Sequence, residues 1–266
     1  MKNKYTVRQI KKEGQAAKRI VYQKKIKRIT GAYGYWIPRI ISPYITWVFL
    51  KFFPSINPDT VSIMMILTCM VAQIFIFKGL YLIGGLLLYF SIILDNVDGE
   101  VARLRNISSG GQGILLDLQY HFICWLFFLF LGLNLYLTTD NIQPLILGAL
   151  TTFLGTYLRY TKVSYEKIIF QLNLNTNDEN VKKVKNYIIS NKLLDRIFAV
   201  IKVFRRQNSA IIVFTLCACL EFFFKEKIML NFLRFYFLIL LSTGAIVFIK
   251  NMRGNINVIM NNKSNE

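Results

Sequence analysis

Asp95-Asn-Val-Asp98-Gly99-Glu100-Val-Ala102-Arg103-Leu-Arg105-Asn-Ile-Ser-Ser-Gly110-Gly111-Gln112-Gly113-Ile-Leu-Leu-Asp117-Leu-Gln-Tyr-His121 lies between two long apolar runs. A bilayer core of ~30 Å takes about 20 residues of helix, and both runs approach that length. Three aspartates and the single histidine of the chain therefore fall where hydrocarbon is expected. Ionisable groups at membrane depth are costly and, by default, functional. The stretch is read as the active site and the rest as its scaffold.

Spacing carries the chemistry. At 100° per residue, Asp95 and Asp98 lie about 60° apart on a helix, and Asp117 and His121 about 40° apart. Two facing helices would bring three carboxylates and an imidazole to one point. Carboxylates so close repel unless a cation sits among them, and hard oxygen donors favour Mg²⁺ or Mn²⁺. Asp95, Asp98 and Asp117 are the expected metal ligands. Gly99 lets a substrate approach the backbone, Ala102 gives room at a helix crossing, and Arg103 offers a bidentate donor to phosphate. His121 is open to three roles: general base, metal ligand, or a ring hydrogen-bonded to Asp117 one turn earlier. Gly110 to Gly113 reads as a phosphate-cradling loop or a plain tight turn. Glu100 points off the acidic face and is expected to be solvated.

The run Asp95-x-x-Asp98-Gly99-x-x-Ala102-Arg103, followed by Gly113-x-x-x-Asp117-x-x-x-His121, resembles the signature of the CDP-alcohol phosphotransferases (CDP-alcohol phosphatidyltransferases), an integral-membrane family. The family pattern is D-x-x-D-G-x-x-A-R, a spacer, then G-x-x-x-D-x-x-x-D. His121 stands at the fourth aspartate and the spacer is one residue longer; every other marker is present. The resemblance implies metal-dependent attack of an acceptor hydroxyl on a CDP-alcohol, with CMP leaving. It implies a base role at position 121, a site role for Gly113, and Asn57 and Thr60 beside the nucleotide. An interfacial helix before the first span and a homodimer are implied in the same way.

Composition agrees with a membrane chain. Hydrophobic residues make up 54% and aromatics 15%, too apolar for most soluble domains of this size. The formal charge of +19 lies outside the apolar runs, where it meets anionic lipid headgroups rather than nucleic acid. Cys69, Cys124, Cys217 and Cys219 sit inside apolar segments as small buried hydrophobes. The first thirty residues carry eleven Lys or Arg and no apolar core, so no secretory leader is expected.

The expected fold is an all-α integral membrane protein of six transmembrane helices preceded by an interfacial amphipathic helix. Residues 1–57 form a basic cytoplasmic arm and that helix, whose Pro38 and Pro43 argue against a span. Residues 58–250 form the catalytic domain, with spans near 58–77, 79–94, 113–137, 142–160, 209–224 and 228–250. A charged cytoplasmic loop covers about 161–207, including Lys182, Lys183 and Lys185, and 251–266 is a polar tail. Gln73, Asn134 and Glu221 are isolated polar groups, and Arg159, Arg196, Arg205 and Arg206 follow the positive-inside pattern. Counting Lys and Arg in short loops puts both termini and the motif on the cytoplasmic side. Phospholipid synthesis leads, and transfer onto a glycan or surface-polymer precursor is second. A transporter would not need Gly-x-x-Ala-Arg after paired aspartates, and a non-catalytic relative would bind without turnover.

Overall fold

The computed structural model describes residues 6–14, 33–107, 111–175, 207–224 and 228–245, and among these every element is helical and none is a strand. A turn at Val7–Gln9 runs on as a π-helix at Ile10–Gly14. The helices α1 (Tyr33–Phe52), α2 (Pro58–Phe77), α3 (Tyr81–Leu104), α4 (Gly111–Trp125), α5 (Phe127–Thr139), α6 (Gln143–Asn175), α7 (Gln207–Phe224) and α8 (Met229–Ala245) follow. The rest of the basic arm, the segment 176–206, the end of the sixth expected span and the polar tail lie outside the described residues.

Length and composition qualify three helices to cross a membrane: Pro58–Phe77, Tyr81–Leu104 and Leu115–Thr139. Gln207–Phe223 and Met229–Ala245 are shorter apolar helices. The described residues thus show three such helices against the six expected. On α2 the exposed residues Ile63, Leu67, Met70 and Ile74 recur at helical spacing, a lengthwise apolar stripe suited to hydrocarbon.

Local chemistry sets the bounds of α2. Pro58 occupies the first helical position, where its missing N–H costs nothing. Asn57 takes an extended cap conformation, and its carbonyl receives Thr60 N at 3.1 Å, but its side chain makes no cap bond. The far end closes on Gly79 at φ +77. Gly79 N donates to Ile76 O at 3.0 Å and Leu80 N to Phe75 O at 2.9 Å, a Schellman ending that needs left-handed backbone.

Two expected boundaries move. The third span is two helices, broken at Leu126, whose N–H turns back to Ile123 O at 3.1 Å. Gln73 donates to the Ile123 carbonyl, and Thr152 Oγ1 to Trp125 O at 3.1 Å, so carbonyls at the break find partners. The fourth helix does not stop at Tyr160; α6 continues to Asn175, so the expected loop starts later. Pro38 and Pro43 are accommodated within a continuous α1.

Packing closes around α3. Thr215 Oγ1 of α7 donates to Gly85 O at 3.0 Å, holding α7 against α3. An aromatic cluster joins α5, α7 and α8: Phe127 and Phe214 rings are 5.2 Å apart, and Phe128 stacks on Phe232 at 5.8 Å. α5 and α6 cross where Gly132 faces Gly148, and a Cβ on either would strike backbone of the other helix. At the N-terminus, Ile10 is fully buried and Lys11 Nζ donates to Tyr44 hydroxyl at 3.1 Å.

Candidate active site

The polar half of α3 distributes its side chains by helical phase. Asn96, Glu100 and Leu104 point inward, while Asp95, Asp98, Gly99, Ala102 and Arg103 are half-buried. Asn96 satisfies itself by donating to Ile92 O at 2.9 Å. Glu100, expected in solvent, is 1% exposed. Ser42 and Thr46 of α1 both donate to its carboxylate at 2.6 Å, one to each oxygen. Two short charge-assisted bonds offset the burial of that acid and fasten α1 to the site helix. The sequence held the signal as Ser42 and Thr46 one turn apart, but nothing in it paired them with residue 100.

Asp98 accepts from Ser62 Oγ at 2.8 Å, placing the first turns of α2 beside the end of α3. Asn57 and Thr60, both exposed, share that end. Arg103 folds back over Gly99: a Cβ there would lie 3.0 Å from Nη1. The space opened by Gly99 is thus used by the guanidinium, which feels the charges of Glu100, Asp98 and Arg39.

Gly111 starts α4, so Gly113 stands in its first turn and not in a loop; Gly110 lies outside the described residues. Asp117 and His121 follow one turn apart, with Nε2 of His121 3.4 Å from Oδ1 of Asp117. The Asp117 side chain is 47% exposed and that of His121 17%. Nδ1 of His121 meets Oε1 of Gln207, the first residue of α7. No motif around Gln207 marks it from the sequence, since the contact spans 86 residues.

Beneath the acids lies a buried polar knot. Cys69 Sγ is 2.9 Å from Cys124 Sγ and donates to Ser91 Oγ at 3.2 Å, and Ser91 Oγ is 3.4 Å from the Tyr120 hydroxyl. Tyr120, next to His121, is 1% exposed and lies within the field of Asp95. The knot joins α2, α3 and α4 as a floor.

The fold therefore brings Asp95, Asp98, Arg103, Asp117, His121, Asn57 and Thr60 to one end of α2, α3 and α4. Their donor chemistry, carboxylates on two helices that both pack against α2, suits a hard divalent cation. Among the described residues, no three His, Cys, Asp or Glu side chains converge into a ready metal cage. The acids stand in separate pairings instead, Asp98 with Ser62 and Asp117 with His121.

Residues 55–179 match the family model described as CDP-alcohol phosphatidyltransferase. The match begins just before α2, takes in the whole of the motif from Asp95 to His121 and ends beyond α6. No curated protein matches the chain.

Proposed function

We propose that this chain, whose residues 55–179 match the CDP-alcohol phosphatidyltransferase family model, transfers a substituted phosphate from a CDP-alcohol to an acceptor hydroxyl and releases CMP. The observation that carries this is the match itself: it spans the motif whose residues share one end of α2, α3 and α4. The family match supports the donor class and the transferase chemistry. The metal rests on the three aspartates and the sidedness on the Lys and Arg asymmetry.

The roles follow from charge and exposure. A donor diphosphate arrives with negative charge that three carboxylates alone would repel, so Asp95, Asp98 and Asp117 would hold Mg²⁺ or Mn²⁺. Such a cation supplies neutralisation of the diphosphate and of charge on the leaving oxygen. Arg103, already turned toward Asp98 over Gly99, receives phosphate oxygen. Ser62 keeps the Asp98 carboxylate from rotating away. Asn57, with no cap bond to make, and Thr60 are placed to meet the nucleotide.

His121 takes the proton. The acceptor oxygen forms its bond to the phosphorus bearing the alcohol, the bond from that phosphorus to the CMP oxygen breaks, and the hydroxyl proton passes to the imidazole. A neutral imidazole nitrogen can accept a hydroxyl proton, which suits general-base work. Partial burial of His121 beside half-exposed Asp117 lets a hydroxyl reach the ring while the other face stays packed.

The wider setting is part of the proposal. Lys and Arg asymmetry supports cytoplasmic termini and a cytoplasmic site, and α1 supports a helix lying at the headgroup level. Membrane lipids surround the chain and a homodimer is the assembly implied by the family. Phospholipid synthesis is the leading setting. A glycan or surface-polymer acceptor is the second, favoured by histidine in place of the fourth aspartate.

CMP release by purified protein tests the reading, with a panel of CDP-alcohols and hydroxyl acceptors in Mg²⁺ or Mn²⁺. Metal-dependent release that is lost in Asp98→Ala and in His121→Ala is the expected result. Uptake of solute without CMP release in vesicles would replace the enzyme with a transporter.

A further inference from the structure

Gln207 opens α7 and is 7% exposed, yet it has no place in the family signature and none in the reaction as assigned so far. Its Oε1 meets Nδ1 of His121, while its own amide Nε2 is buried with no hydrogen-bond partner. A glutamine that leaves amide hydrogens unsatisfied in a buried place costs free energy. The carbonyl faces the imidazole while the amide end of the side chain lies beside the buried Cys124 thiol. The position of α7 is itself fixed, because Thr215 Oγ1 donates to Gly85 O at 3.0 Å on α3.

We propose that Gln207 is a positioning residue that selects the tautomer of His121, holding the ring hydrogen on Nδ1 so that Nε2 is the basic nitrogen facing the substrate. This rests on the reading of His121 as the general base. A neutral imidazole carries one N–H, and a carbonyl can only accept, so the nitrogen facing Oε1 is the donor. Nε2 then bears the lone pair. It lies 3.4 Å from Asp117 Oδ1, beyond an ordinary hydrogen bond, so that carboxylate pulls on the ring hydrogen less strongly than the closer Oε1 of Gln207 does at Nδ1. When the acceptor hydroxyl gives its proton to Nε2, the imidazolium donates through Nδ1 to Gln207 and through Nε2 toward Asp117. The logic is that of an orienting group behind a histidine base, with an amide carbonyl in the orienting place.

The chain has a single histidine, which makes the tautomer directly observable. Full-length protein labelled with ¹⁵N-histidine in detergent, held at a pH where the ring is neutral, should show protonated Nδ1 and unprotonated Nε2. Gln207→Met, of similar length but with no carbonyl, should lose that preference, while Gln207→Glu, which can only accept, should keep it. In the CMP assay, Gln207→Met should lower kcat roughly 10- to 100-fold with KM little changed, and Gln207→Glu should restore most of it. Protonated Nε2 in the wild-type chain, as a flipped amide donating to Nδ1 would give, overturns the proposal. So does a Met variant with the wild-type tautomer. Because the nitrogen spectrum needs no turnover, absence of CMP release would remove the base role without deciding the tautomer.

Discussion

Two sets of polar side chains sit within these apolar helices, and they meet the cost of burial differently. At helix breaks and joins, Gln73 donates to the Ile123 carbonyl where α4 gives way to α5, and Asn134 Nδ2 donates to Phe77 O at 2.7 Å where α2 ends. Glu221 accepts from Ile228 N at 3.0 Å and Met229 N at 2.9 Å, the free amides that open α8. Each of these groups hydrogen-bonds backbone at a helix end, where intrahelical pairing is incomplete. At the motif end, the acids pair with side chains: Asp98 with a serine, Asp117 with a histidine. The joins spend their polar groups on backbone, whereas the motif keeps half-exposed carboxylates that a ligand can recruit.

Glu100 shows that position along the chain does not decide which set a residue joins. It lies within the motif between Asp98 and Arg103, yet it is buried and holds both hydroxyls of α1.

Substituting the two sets should therefore separate activity from stability. The largest effect is expected at the motif end: Asp117→Asn should lower CMP release by about 10³-fold or more, with thermal unfolding in detergent close to wild type. Chelation of divalent cations should do the same to the unaltered chain, reversed by Mg²⁺ or Mn²⁺. A stable Asp117→Asn protein with near-normal turnover would erase the distinction between the two ends. Next comes Glu100→Ala, which strands Ser42 and Thr46 hydroxyls and loosens α1. A loss of about 2–4 kcal/mol in an unfolding titration is expected, with the Gln variant recovering part of it. An unchanged unfolding midpoint would mean that Glu100 faces water, as the sequence alone suggests.

Gly148→Val tests the packing far from the acids. The added side chain meets the backbone carbonyl of Phe128, so α5 and α6 must part. A destabilisation of about 1–3 kcal/mol is expected with CMP release per folded molecule retained. Activity falling in step with Asp117→Asn would instead couple this crossing to the site.

Much of this was legible in the residues. Pro58 and the apolar run to Phe77 mark α2 to the residue, because a proline at the first turn and a Gly79 ending are local signals. The acids of α3 and α4 were legible through spacing, but the convergence expected of them is absent among the described residues, where no three acidic, histidine or cysteine side chains meet. The break at Leu126 was not, because the residues around it are uniformly apolar and the partners that stabilise it, Gln73 and Thr152, come from other helices. Gln207 and Glu100 escaped for the same reason: their meaning lies in contacts across many residues, which periodicity does not report. The reach of α6 to Asn175 was hidden because its polar continuation lacks the apolar signature of a span.

Asn134→Leu is the smallest and cleanest test of the comparison. Asn134 accepts from the Tyr81 hydroxyl and donates to Phe77 O, so one side chain bridges the turn that reverses α2 into α3. Leucine fills a similar volume and suits hydrocarbon, which offsets part of what the lost bonds cost. Hydrogen bonds among membrane helices average about 0.6 kcal/mol, so the variant should lose only about 1 kcal/mol for the two. That small value is the informative one. It would show that polar groups at joins serve chiefly to fix where a helix ends, and CMP release should be unchanged because the α2–α3 turn lies at the end of those helices opposite Asp98. A loss of turnover without loss of stability would instead place Asn134 among the residues the substrate depends on, and the two sets would no longer be distinct.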